Sequence, residues 1–516
     1  MNDSAASTRN KASILKGLGA ASLLALGAAC TTIEAPMKPE PVARSAGLGA
    51  CADWFVQLDA AVDQAGVRDA GAYRIPGFPY LRADRFSASF ADLAKGNAEA
   101  FQAWVARLRE LDARSREYEI GNLPPRSFPL GASVDRAAAK SNTRACAAQL
   151  ADEDLGSAPQ RDLVAARAKV PDSYVNWNGM PGLYALASIP FARGVEKWHE
   201  ETAELFRKAS AETGPIPGVV RYRSSTDAAS EKQVNAIFAR LRKDALGIPQ
   251  FTDGELETLF RAYAPAFEID TTGDYDRFGP LVWRNSPAPE VDTARPLAYR
   301  RLALTRSYGK VLAQLVYTIW FPERPSSGAA DLLAGRLDGV VFRVTLGGDG
   351  APLLYDTIHP CGCYHMFFPT AGVKLLPAQE PVVEWAFVPS TLPAIAPAQR
   401  VAVRIESRTH YVVNVRPDTG ASGKAYQFAD ENDLRALPTA DGGTRSAYGP
   451  DGIVPGTDRG ERYLFWPMGI ENAGAMRQWG THATAFVGRR HFDDADLLER
   501  RFDMSSGGQQ AAMHPK

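Results

Sequence analysis

Apolar residues recur at three- and four-residue spacing through the first half of the chain and at two-residue spacing through the second. Trp54, Phe55, Leu58 and Val62 make one apolar helical face. Phe101, Trp104, Val105, Leu108 and Leu111 make another, on a helix that must stop before Pro124-Pro125. Val234, Ile237, Phe238 and Leu241 mark a third. Thr252 and Glu255 have capping-box spacing ahead of Leu256, Leu259, Phe260 and Tyr263.

After Phe267 the period shortens. Val311 to Trp320 is rich in β-branched and aromatic residues. Val340 to Leu346 and Pro352 to Ile358 flank Gly347-Gly348-Asp349-Gly350, a strong hairpin signal. Val401, Val403 and Ile405 alternate with Arg404 and Glu406, and Tyr411 to Val415 is expected to pair back with them. Further strands are expected at Val383 to Val388, Arg462 to Trp466 and Thr484 to Val487. A short helix is expected near Asp493-Asp494, and an irregular loop from Thr439 to Gly460. The pattern predicts an α+β fold: a helical N-terminal domain over residues 46–266, then an antiparallel β-sandwich-like domain over 267–502 and a polar tail over 503–516.

The first 45 residues follow neither pattern. Arg9, Lys11 and Lys16 precede an apolar run from Gly17 to Ala29, too short to span a bilayer and right for a signal peptide over residues 1–30. Its end, Leu26-Gly27-Ala28-Ala29-Cys30, resembles the lipobox of bacterial lipoproteins, although the family's usual leucine three positions before the cysteine is here Gly27. That resemblance implies acylation of Cys30, attachment to the membrane through the lipid, and, with Thr31 next, an outer-membrane lipoprotein facing the periplasm. Residues 31–45 hold three prolines and read as a tether.

Composition narrows the partners. In 516 residues Lys and Arg total 58 against 59 Asp and Glu, a formal net charge of −1, which argues against nucleic acid as a ligand. An envelope protein remains a possible partner. Beyond Cys30, four of the five cysteines remain for an oxidising compartment. Cys51 and Cys146 fall on predicted helices of one domain and are natural disulfide partners.

The densest chemistry is His359-Pro360-Cys361-Gly362-Cys363-Tyr364-His365. Side chains two apart share a strand face, but an extended run would hold its outer histidines about 20 Å apart, so the segment must bend at Pro360 and Gly362 to gather them. Three readings stand open. His359, Cys361, Cys363, His365 and His410 hold a transition metal, zinc or copper. An envelope hydrolase uses either a cysteine thiolate beside a histidine, with Asp356 or Asp338 orienting the imidazole, or a metal held at the same cluster. Or Cys361 and Cys363 form a disulfide in a structural or assembly lipoprotein.

The order of a Tyr/Trp-rich strand, Asp338-Gly339, a hairpin, His359 and then Ser407-Arg408-Thr409-His410 also resembles the layout of the necrosis-inducing-protein family over about 80 residues. That family's β-sandwiches hold a divalent cation with Asp, Glu and His; its His-Asp-Trp-Glu type motif is absent here.

Overall fold

Ten strands pair into one sheet that carries most of the molecule. In chain order they are β1 (Val219–Ser224), β2 (Ala266–Asp270), β3 (Leu297–Ser307), β4 (Lys310–Arg324), β5 (Gly335–Leu346), β6 (Pro352–Ile358), β7 (Met366–Pro369), β8 (Val401–Ile405), β9 (Val412–Pro417) and β10 (Lys424–Asp430). Across the sheet they run β7-β6-β5-β4-β3-β10-β1-β2-β8-β9. Most pairings are antiparallel; β10 with β3, β10 with β1, and β8 with β2 are parallel. This computed structural model describes residues 48–127, 135–175, 183–211, 217–225, 228–284, 286–380, 382–420 and 422–504. The residues expected to form a signal peptide (1–30, with Cys30) and a tether (31–45), and the tail beyond 504, lie outside the described residues.

The sheet is nearly closed, and one helix lies along the gap. Helix α4 (Leu183–Ala211) packs on edge strand β9, and its Phe206 ring meets Phe368 of edge strand β7 at 5.6 Å. The inner face is the main apolar core: Leu315, Tyr317 and Ile319 of β4, Val340, Phe342 and Val344 of β5, and Val401, Val403 and Ile405 of β8. Helices α5 (Glu231–Ala239) and α6 (Asp253–Ala262) add Val234, Ile237, Leu259 and Phe260 to it. Thr252 caps α6 with Glu255 in reciprocal hydrogen bonds, as the spacing predicts.

A second core is helical. Helices α1 (Gly49–Ala65), α2 (Ala98–Asn122) and α3 (Arg136–Asp154) bury Trp54, Phe55, Leu58, Trp104 and Leu108 together. Cys51 of α1 and Cys146 of α3 are joined by a disulfide across 95 residues of chain. In the chain-entropy model such a loop contributes about 4–5 kcal/mol. The described helices and sheet belong to one compact unit, Pro41–Lys516. The boundary expected near residue 266 divides helices from strands only roughly, because β1 precedes it and pairs with both β10 and β2.

Some expected strands take other forms. Arg462 to Phe465 is a helical turn, α7, followed by a tight turn over Trp466–Met468; Leu464 and Phe465 both donate backbone bonds to Glu461. Val383 to Val388 and Thr484 to Val487 make single bridging contacts, such as Glu384 N–H to Val487, without a ladder. Asp493-Asp494 opens turns, not a helix. Short apolar runs report burial, and only a long partner strand converts that burial into a ladder.

Candidate functional site

The His359-to-Cys363 segment is a tight hairpin turn linking β6 to β7. Gly362 N–H donates to His359 O at 2.8 Å and His359 N–H to Cys363 O at 3.0 Å. The same bonding closes the Gly347–Ala351, Asp244–Ile248, Thr439–Gly443 and Gly449–Ile453 turns, each with a glycine at positive φ in fourth place. Gly362 has φ +92°, and a Cβ there would run into the carbonyl oxygen of Ala483. Pro360 and Gly362 are thus turn chemistry, and they fix where the neighbouring side chains go.

Those side chains do not share one centre. Pairing along β5 is continuous from Asp338 to Thr345, so Asp338 and Arg343 point to opposite faces of the sheet. On the inner face, Asp338 bridges two imidazoles: Oδ1 is 3.0 Å from Nδ1 of His359 and Oδ2 is 3.0 Å from Nδ1 of His410. On the outer face, His365 places Nε2 2.9 Å from Asp356, which also receives two bonds from Arg343. Cys361 and Cys363 are buried free thiols in the turn itself, and Cys363 N–H donates to the Cys361 sulfur at 3.4 Å. Among the described residues, no group of three or more His, Cys, Asp and Glu side chains is arranged to hold a metal ion.

Protonation differs around Asp338. Burial pushes the His359 pKa down, and Asp338 offsets this only in part, so the ring is neutral and donates from Nδ1. Its Nε2 is buried with no hydrogen-bond partner. Burial also opposes charge on His410, but hydrogen bonds to Asp276 and Asp338 outweigh it and raise its pKa. The His410 ring has both nitrogens engaged, with Nε2 3.1 Å from Tyr275 O, and lies 3.9 Å above Phe321, nearly parallel. Burial would raise the Asp338 carboxyl, yet His359 and Arg459 hold it well below the usual range.

Further groups, distant in sequence, face this pair. Arg324 at the end of β4 donates to the Tyr411 hydroxyl at 3.1 Å, and Tyr411 donates to Tyr364 at 3.0 Å. The Tyr364 ring lies 4.9 Å from His359. Glu461, just ahead of α7, is buried against Gly474, where any Cβ would strike its carboxylate. Burial, opposed by Arg459 and Arg324, raises Glu461 to about 7. Leu337, Tyr364, Arg408 and His410 all have positive φ, and they make up four of the seven such non-glycine residues among those described. Each costs on the order of 1–3 kcal/mol, and such strain gathers where geometry is held for a task.

No family model, no curated protein and no solved structure matches this chain. The site therefore stands on its own geometry. Asp338 and Asp356, read from the sequence as alternatives for orienting one histidine, each orient a different one. Asp276, Arg324, Tyr411 and Glu461 carried no local signal, because their neighbours in sequence are ordinary strand, turn and helix residues.

Proposed function

We propose that this chain is a lipid-anchored envelope protein with an acid–base enzyme site, in which His359 is the general base in hydrolysis of an envelope component. The observation that carries the reading is the Asp338–His359 pair: a carboxylate fixes Nδ1–H while the buried Nε2 is left without a partner. That is the posture of a base awaiting a proton. Nε2 takes the proton of the attacking water, Asp338 balances the imidazolium, and the same proton passes to the leaving group. Arg324, whose Nη1 is buried without a partner while Nη2 is held by Tyr411, supplies a donor for negative charge developing on the substrate. Glu461, near 7, holds a second exchangeable proton at working pH. In this reading the helical N-terminal domain is scaffold, the sandwich-like β region carries the site, and acylated Cys30 keeps it at the outer membrane.

The test is turnover by the full-length protein on a panel of chromogenic esters, phosphoesters and glycosides. His359→Asn and Asp338→Asn should each lower kcat/KM by about 100-fold or more, while His365→Asn should not. Turnover that ignores His359, or none on any of these bond types, ends the proposal.

A second reading is favoured by the two free thiols in the same turn as His359. A carboxylate-held imidazole with a free second nitrogen also suits a metal ligand, and zinc or copper takes mixed nitrogen and sulfur donors. Here His359, Cys361 and Cys363 would be the ligands, with His365 across the sheet and His410 committed to its carboxylates. Elemental analysis of the purified full chain decides it: near-stoichiometric metal, lost in His359→Ala, supports it, and protein without metal removes it.

A further inference from the structure

Behind the hairpin turn lies a pocket of about 230 Å³, lined by Asp172, Asp451, Glu471, Asn472, Arg477 and Thr481 among others. It is smaller than the usual drug-sized cavity of roughly 300–1,000 Å³, so its ligand must be small. Arg477 is one wall. It is 6% exposed, and its backbone N–H donates to Pro360 O at 2.8 Å, which anchors it to the turn. Its Nη2 donates to the carbonyl oxygens of Glu471 and Asn472, while its Nε is buried with no partner. Among the described residues no carboxylate forms an ion pair with this guanidinium. Burial pulls its pKa down, and the nearby charges of Glu471 and Asp451, which make no contact ion pair with it, offset this only in part.

The other walls carry the opposite sign. Asp172 is already committed to Arg489 and to His491, the latter at 3.2 Å. Glu471 and Asp451 are exposed and enter no ion pair among the described residues; Asp451 uses one oxygen to accept from Ile453 N–H at 3.0 Å. The pocket therefore presents one unpaired buried cation and two unpaired carboxylates to the same small volume.

The geometry points to a binding site for a small zwitterion of free amino-acid size, its carboxylate on Arg477 and its ammonium between Asp451 and Glu471. A guanidinium fork suits a planar carboxylate, and an ammonium with three donors suits two carboxylates. A simple anion would leave the acids unpaired and be repelled by them; a simple amine would leave Arg477 unsatisfied. This inference is independent of any chemistry at His359.

Calorimetric titration and thermal melting of the full-length protein test it, with glycine, L-alanine and D-alanine as probes and acetate and ethylamine as the two halves. At least one amino acid should raise Tm and bind 10-fold or more tightly than either half. The exposed double variant Asp451→Asn/Glu471→Gln should fold normally and weaken that binding at least 10-fold. Arg477→Lys, which keeps the charge and loses the fork, should weaken it as well. No response to any amino acid, acetate binding as tightly as alanine, or full binding by the double variant overturns the proposal.

Discussion

Two Asp–His pairs lie back to back on the sheet, and their surroundings make them different objects. On the outer face Asp356 is gripped by Arg343 through two bonds, the Arg343 guanidinium sits 3.7 Å over Phe492, and His365 packs 4.0 Å from Phe367. Burial pushes His365 down to about 3. On the inner face Asp338 serves two imidazoles whose pKa values are shifted in opposite directions, strained backbone surrounds it, and Glu461, Arg324 and two tyrosines face it. Each pair leaves one buried imidazole nitrogen without a partner. An aromatic seal with one arginine makes a structural clamp; mixed ionisable neighbours mark the site proposed above. The pair alone is not diagnostic.

The sharpest way to break the comparison is to remove the clamp. Arg343→Met should cost about 3–5 kcal/mol, because it strands the Asp356 charge in the core. A denaturant midpoint unchanged from the parent protein would mean that Asp356 is not charged there.

Acid should act next through the outer histidine. Its folded pKa of about 3 lies below the roughly 6.5 of a free imidazole. The unfolded chain therefore binds the extra proton between those values, and stability present above pH 6.5 is lost as pH falls towards 3. At pH 4 the loss from His365 alone is on the order of 3 kcal/mol. His410 has the opposite sign: its raised pKa stabilises the fold below about pH 6.5 and that contribution fades as pH rises through the folded value. Replacing His365 with phenylalanine should flatten the acid limb of a stability–pH curve, and an unaltered limb would refute the assignment.

A smaller effect is expected at the turn that both pairs flank. Gly362→Ala should cost about 1–3 kcal/mol from the positive φ, with the Ala483 clash added. Because His359 moves with the turn, turnover should fall further than stability explains; equal losses would reduce the turn to a structural link.

His365→Phe at pH 8 should cost about 1.5–3 kcal/mol: the new ring keeps Phe367 and Phe492 as neighbours, but the Asp356 carboxylate loses one donor and keeps the two from Arg343. An unchanged stability would mean that Arg343 alone holds Asp356.

Much of the fold was legible in the sequence where periodicity ran long. The capping box at Thr252, the stop before Pro124 and the β5–β6 hairpin around Gly347–Gly350 all have local causes. Strands β1, β3 and β10 did not stand out, because their partners lie far away in sequence and their arginines and tyrosines blur the alternation. The cluster around Gly362 was legible as composition, and Pro360 and Gly362 as a bend. Its partition was not.

The residues by themselves determined that a tight turn would carry two thiols between two histidines, since proline and glycine permit little else there. Only the tertiary structure decided which face each histidine would occupy. The physical reason is the two-residue period of a strand: one step in register exchanges inner for outer, and register is set by β5 pairing with β6 over residues 341–346 and with β4 over most of its length. Asp338, Asp276, Arg324 and Glu461 come together from four distant segments, and no reading of neighbours in sequence brings them there.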